Sequence, residues 1–294
     1  MNVWASLGHG PGRWLRGSFH GHCAEASACA TVPLAESTRS YAALGAGFVT
    51  LTDHDRVTDL TGFAAAYPDL VFVEGFEHSA RENLVFAGPA VPPLHRWPLE
   101  EALALARLDV LTLVCHPQPY ASGRPYWTLA KLDALGTRPD GVEVFNGHYG
   151  TPTARTHGRQ PLGTGLWDEA LTAGYRMWGF ANDDFHDPED LGNAWNMVWA
   201  AAPTAAAVVA AARAGRSYAS TGLLLRAATV TADTCRVELA DEATGRFVGP
   251  GGQVLSESTG SCFVGRRGRH AYLRFQAEGP TGALWLQPVF RDDD

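Results

Sequence analysis

Phe48-Val-Thr-Leu-Thr-Asp-His-Asp55 and Val110-Leu-Thr-Leu-Val-Cys-His-Pro117 share one layout: a short apolar run that ends abruptly in histidine or carboxylate. Short runs rich in Val, Leu and Phe, bounded by polar residues, read as strands buried on both faces. The layout recurs along the chain. Trp14–Phe19 leads into His20-Gly-His22, and Leu70–Glu74 into Gly75-Phe-Glu77-His78. Gly141–Phe145 leads into Asn146-Gly-His148, and Met177–Ala181 into Asn182-Asp-Asp-Phe-His186. A seventh run, Trp195–Ala200, has no such ending. Helical patterns lie between the runs: Ser37–Leu44 stops at Gly45, Pro98–Leu108 opens with Pro and two Glu, and Trp167–Ala173 stops at Gly174. Alternating strand and helix implies an α/β fold with a parallel sheet, open or closed into a barrel. In a parallel barrel the C-terminal strand ends gather on one face, where active sites form.

After about Gly222 the pattern changes. Arg236–Leu239 and His270–Ala277 alternate in polarity, and Gly-rich turns such as Gly249-Pro-Gly-Gly252 punctuate them. We therefore expect a first unit over 1–222 and a small antiparallel β module over 223–294.

Composition narrows the function. The chain has 294 residues, 46% hydrophobic and 18% charged, enough to bury a large core. A net charge of −8 without a long basic run argues against extended nucleic acid as a partner. Lys131 is the single lysine, so no GxxxxGK[ST] phosphate loop exists; GxSxG, HExxH and CxxC are absent as well. The five cysteines are scattered and odd in number, and read as reduced thiols of a cytoplasmic protein. The Ala-rich stretch Ala194–Ala212 contains Pro203 and Thr204, so it reads as strand, cap and helix rather than as a membrane span.

The polar strand endings carry the chemistry. Imidazoles and carboxylates suit Zn²⁺, Mn²⁺ or Fe²⁺, and no thiolate cluster demands a softer ion. His-x-His and Asp-x-His put both ligands on one side of an extended chain, because strand side chains alternate. Six endings of this kind in one chain point to a multinuclear metal centre.

These segments resemble the PHP (polymerase and histidinol phosphatase) family of metal-dependent phosphoesterases. The matching stretches are Phe19-His-Gly-His22, Leu51-Thr-Asp-His-Asp55, Gly75-Phe-Glu77, Cys115-His-Pro117, Val142-Glu-Val-Phe-Asn146 and Asp184-Phe-His186, within residues 14–222. The resemblance implies a distorted, TIM-like (β/α)7 barrel with two or three divalent ions. It implies that His20, His22, Glu77 and Asp184 hold one ion, that Glu77 bridges to a second bound by His116, and that His54 and His186 belong to a third. The later Gly215–Gly222 segment looks like a branch with a C-terminal β appendage, some members of which are similar to carbamate or ester hydrolases. This chain departs from the family pattern in two places. Where an extra ligand usually follows His-x-His, it reads Cys23-Ala-Glu-Ala-Ser27, leaving Glu25 or Ser27 as substitutes. Where many members carry a His after the bridging Glu, it reads Asn83-Leu-Val-Phe86.

Ions a few Å apart activate a bridging water near neutral pH, which gives hydrolysis without a protein nucleophile. Glu77 is the residue on which that activation rests. Asp55, Asp183 and His148 are the candidate acids for the leaving group. Arg124, Arg155, Arg159 and His157 are the candidate substrate contacts, because a guanidinium matches phosphate oxygens with a planar donor fork. His9, His95 and His270 read as surface residues, and His78 points away from Glu77 by alternation. The expected substrate is a small phosphate mono- or diester, with no membrane partner. A carbamate, amide or carboxyl-ester hydrolase, or a non-catalytic metal-binding module, are the alternatives.

Overall fold

The computed structural model describes residues 3–106, 108–152 and 159–291. Strands β1 (Arg13–Ser18), β2 (Phe48–Leu51) and β3 (Val71–His78) pair in parallel. So do β5 (Leu111–Val114), β6 (Gly141–Asn146) and β7 (Trp178–Asn182). Between the two sets lies β4 (Leu84–Gly88), antiparallel to both β3 and β5. The sheet is therefore mixed rather than parallel throughout. The strand pattern missed β4 because only the short 79–83 connection separates it from β3. A connection that short permits only an antiparallel return. On the other side, β8 (Trp195–Ala200) runs antiparallel to β1. Past the strand ends, Gly21 and Phe185 form a parallel bridge that sets the extension of β7 beside that of β1.

Helices cover these strands: α1 (Leu34–Ala43), α2 (Thr61–Ala64), α3 (Leu99–Leu105), α4 (Leu129–Ala134), α5 (Thr164–Thr172) and α6 (Ala205–Arg213). The Thr204 side chain caps α6 through the Ala207 N–H, as its sequence predicts. Val208, Val209, Ala211 and Ala212 of that helix share one apolar cluster with Phe19, Phe48, Val73, Leu113, Phe180 and Val198. Side chains from the two parallel sets and from β8 thus meet in a single interior. Phe19 contacts Phe48 and Phe180, with ring centroids 4.7 and 5.7 Å apart, and forms an aromatic floor next to His20. Among the described residues, no helix is long and apolar enough to cross a membrane.

The remaining strands are antiparallel: β9 (Ser217–Ser220), β10 (Leu225–Val230), β11 (Thr234–Gly249), β12 (Gln253–Arg266), β13 (Tyr272–Gly279), β14 (Gly282–Leu286) and β15 (Val289–Phe290). Because β9 pairs with both β8 and β14, hydrogen bonding runs from one part of the sheet into the other. A second core of Leu239, Phe247, Phe263, Phe275 and Leu286 fills this part, and the N-terminal Trp4 and Leu7 insert into it. The Trp4 indole N–H donates to the Gln287 carbonyl at 2.7 Å.

A buried ion pair ties α5 to β13. Arg274 Nε and Nη2 donate to the two Asp168 carboxylate oxygens at 2.7 and 2.6 Å, and the Tyr272 hydroxyl adds a bond of 3.1 Å. Removing one partner strands the other charge out of water. Asp168→Ala should lower the unfolding free energy by about 3–5 kcal/mol, read from urea denaturation; a loss under about 1 kcal/mol would mean that the pair is solvated.

Candidate metal centre

Each metal-ligand candidate lies at or just past the end of a strand, and the pairing there brings most of them together. The extended 19–23 segment runs between two neighbours: Thr52 N–H donates to Gly21 O at 2.7 Å, and His22 N–H to Phe185 O at 2.9 Å. Three site positions, Asp55, His116 and Asp184, have φ of 50°, 27° and 50°. Non-glycine residues rarely adopt this left-handed region, and strain of this kind collects at functional sites. At His116 the conformation is held by its own N–H, which donates to Glu143 Oε2 at 2.7 Å.

His20, His22, Glu77, His116 and Asp184 converge. His20 Nε2 lies 3.1 Å from Asp184 Oδ1 and 3.4 Å from Glu77 Oε1; His22 Nε2 lies 3.2 Å from Asp184 Oδ1; His116 Nε2 lies 3.1 Å from Glu77 Oε1. The outer nitrogens of the first two rings are engaged. His20 Nδ1 meets Glu143 Oε1 at 2.8 Å, and His22 Nδ1 meets Ser27 Oγ at 3.2 Å. With Nδ1–H donating outward, both Nε2 lone pairs point inward, yet the two Nε2 atoms are only 3.2 Å apart. Two lone pairs and two carboxylates facing one point repel each other unless a cation or proton lies between them. The donor set therefore fits divalent ions.

The electrostatics agree. Glu77, Glu143 and Asp184 are buried, and their partners are imidazoles, amides and backbone N–H groups. Burial opposes charge on His20, but Asp184, Glu143 and Glu77 outweigh it and raise its pKa well above the ordinary imidazole value. Burial likewise opposes charge on Glu77, but His20, His116 and His54 hold its carboxyl well below the usual range. On His22 burial wins, and the pKa falls to about 4, leaving a neutral ring suited to ligation.

His54 and His186 lie at the outer side of the cluster. His54 Nδ1 is 2.9 Å from Glu77 Oε2, and His186 Nδ1 donates to the Asp184 carbonyl at 2.6 Å. The His22 ring lies against both, with centroids 4.6 and 4.4 Å away. A cavity of about 400 Å³ opens above them, and Glu77, His116, His148, Tyr149, Arg159 and His186 are among its lining residues.

The remaining candidates divide. His148 reaches the cavity wall, where Nδ1 contacts both Asp190 carboxylate oxygens at 3.0 and 3.1 Å. Burial opposes its charge, but Asp190 and Asp184 outweigh it and raise the pKa. Asp183 lies outside the cavity. It accepts from Tyr41, Gly192 and Ala194 and braces the turn between β7 and β8, and burial pushes its pKa up to about 7. Asp55 is exposed and accepts the Ser79 N–H. Arg159 is held among Tyr120, Tyr126 and Tyr149, 4.6–5.0 Å from each ring centre. Its Nη groups donate to Tyr149 Oη and to the His116 and Gln118 carbonyls. Arg124 is exposed and stacks on Tyr120 outside the cavity. Arg155 and His157 lie outside the described residues. His78 turns away from Glu77, as alternation predicts, and bonds to Trp97 O at 2.8 Å.

Four residues were given no role from the sequence. Glu143 braces His20 and His116 from behind, and Asp190 orients His148. Asp53 accepts from Cys23 N–H and Ser27 Oγ, fixing the residue that holds His22. Asn83, standing where a family histidine would be, donates to Glu77 Oε1 at 2.8 Å. Glu143 carried a signal, a lone carboxylate inside an otherwise apolar strand. Neither substitute expected for the third ion is placed for it: Glu25 accepts the Leu34 N–H at the start of α1, and Ser27 serves His22 and Asp53.

No protein-family model matches the chain, and no curated protein matches it in sequence. Among solved structures there are matches. A two-domain protein from Bacteroides vulgatus containing a predicted PHP-like metal-dependent phosphoesterase superposes with a TM-score of 0.54 at 15% identity, over 92% of this chain and 91% of that one. An amidohydrolase from Chromobacterium violaceum, solved with sulfate and no metal, gives 0.41 at 14% identity over 58% of this chain and 88% of its own. PsfC from Pseudomonas syringae gives 0.42 at 13% identity over 70% and 90%. The chain thus shares its overall fold, across nearly its whole length, with a PHP-like two-domain protein.

Proposed function

We propose that the protein is a metal-dependent hydrolase of the PHP type, acting on a small phosphate mono- or diester. The observation that carries the reading is the convergence of His20, His22, Glu77, His116 and Asp184 on one buried point, with ring nitrogens turned inward. The reading includes the distorted seven-stranded barrel, for which the Gly21–Phe185 bridge is support. It divides the chain into a catalytic unit, 1–222, and a β unit, 223–294.

His20, His22, Glu77 and Asp184 would hold one ion, and Glu77 with His116 a second. Divalent ions held there, of the zinc, manganese or iron class, supply Lewis acidity and activate water near neutral pH. The protein does the rest. Glu143 fixes the tautomer and angle of His20. Arg159, half-buried among tyrosines, sets a positive potential over the cavity for an anionic substrate. His148 in its acid form has an Nε2–H that faces away from Asp190 and can deliver that proton to a leaving oxygen. A carbamate or carboxyl-ester hydrolase is the second reading, favoured by the tyrosine wall and by the fact that the Arg159 Nη groups already have protein partners.

A paired assay decides between the readings: chromogenic phosphate mono- and diesters against carbamate and carboxyl esters, with added Zn²⁺ or Mn²⁺. Turnover of phosphate esters is expected, and Glu77→Gln should remove it by orders of magnitude. Turnover of a carbamate alone would install the second reading; no turnover, with Glu77→Gln altering nothing measurable, would leave a non-catalytic module.

Two further outcomes follow from the bracing residues. Glu143→Gln should keep the fold and weaken metal affinity by about 10–100-fold, measured by competition with a chelating dye. His148→Asn should cost about 10²–10⁴-fold in kcat on alkyl phosphates and little on nitrophenyl phosphates, whose leaving group needs no proton. Asp190 and Asp184 raise the His148 pKa, so its acid form is kept to higher pH than that of a free imidazole and is lost as pH rises. The alkaline fall in rate on alkyl substrates should therefore disappear in the variant.

A further inference from the structure

We propose that Cys29, His54 and His186 form a metal site with a thiolate ligand, which takes a thiophilic divalent ion at the mouth of the cavity. The proposal rests on the metal-dependent reading and extends it to Cys29, which no sequence motif had marked.

The 27–31 loop is tied at two points. His54 N–H donates to Ser27 Oγ at 3.3 Å, and Thr31 N–H donates to the His186 carbonyl at 2.9 Å. One side of the loop is thus fastened to the backbone of His54 and the other to that of His186. Cys29 lies between the two fastenings. Its Sγ is 3.3 Å from His54 Nε2, and Cys29, His54 and His186 line the same cavity.

Both imidazoles are prepared for ligation. Nδ1 of His54 is engaged by Glu77 Oε2 and by Ser79 Oγ at 2.7 Å, and Nδ1 of His186 by the Asp184 carbonyl. Each ring therefore offers Nε2 inward, in the pattern by which a partner on the far nitrogen orients a metal-binding histidine. His22 lies against both rings, but its own nitrogens are committed to Ser27 and to Asp184, so sulfur completes the outer set. One sulfur and two imidazole nitrogens suit Zn²⁺ or Fe²⁺ and disfavour Mg²⁺ and Mn²⁺, which prefer oxygen. Three protein ligands leave a fourth position open toward the cavity, as in catalytic rather than structural zinc sites.

Cobalt reports on this directly, because a thiolate bound to Co²⁺ gives a charge-transfer absorption in the near ultraviolet that imidazole and carboxylate do not. The experiment loads the full chain, Cys29→Ala and Cys29→Ser with Co²⁺, records that band, and counts metal per chain by elemental analysis. The native chain is expected to show the band. Cys29→Ala should lose it together with one ion per chain, while the buried ions remain. Zn²⁺ should also protect Cys29 from iodoacetamide in the native chain. Cobalt bound without the band, or a Cys29→Ala chain that binds as many ions as tightly, would overturn the thiolate site and leave the buried centre standing. If no cobalt binds at all, the metal-dependent reading falls with it. Cys29 is exposed, so neither substitution opens a cavity in the core.

Discussion

Glu77 is buried with four imidazoles around its two oxygens: His20 and His116 at Oε1, His22 and His54 at Oε2. A carboxylate in such a place is tolerated only if positive charge neutralises it. Asp184 and Glu143 repeat the problem within hydrogen-bonding distance of the same rings. Much of the local structure can be read as the means of holding these groups against their mutual repulsion. The strand extensions are pinned by backbone bonds, His116 and Asp184 accept left-handed backbone, and Asn83, Asn146 and Asn182 spend their amides on the carboxylates. A chain folded for stability alone gains more from an apolar core at this position.

Order extends outward from that cluster in layers. Inside it, Phe19, Phe48 and Phe180 close the floor and keep water from one side. Outside it, Glu143 holds the His20 ring, Asp53 holds the Ser27 hydroxyl that meets His22, and Asp190 holds the His148 ring at the cavity wall. Braces of this kind fix which imidazole nitrogen bears the proton, and thus which one is free to ligate or to act on substrate. The β strands after 222 contribute no residue to the cavity lining. They meet the rest of the chain through β9 pairing and through the Asp168–Arg274 contact on α5.

The candidate ligands were legible in the sequence for a simple reason. A strand buried on both faces is an apolar run, and a polar residue at its end stands out. His20, His22, His54, Glu77, His116, Asp184 and His186 stand out in this way as candidates. What was hidden depended on distance in the chain. Glu143 sits inside a strand, so its neighbours in sequence say nothing of His20. Asp183 was a plausible acid because it adjoins Asp184, but alternation turns it to the opposite side, toward Tyr41. β4 was missed because a hairpin partner follows too closely to break the pattern. Cys29 falls in a polar loop, where only the fastening of that loop to His54 and His186 reveals what it faces.

The central claim is that the inward-facing nitrogens and carboxylates hold divalent ions rather than protons. Elemental analysis of protein purified from metal-supplemented culture tests it most directly. The account predicts about two or three transition-metal ions per chain, as a carboxylate-bridged centre requires. A folded, well-supplied preparation carrying none would contradict it.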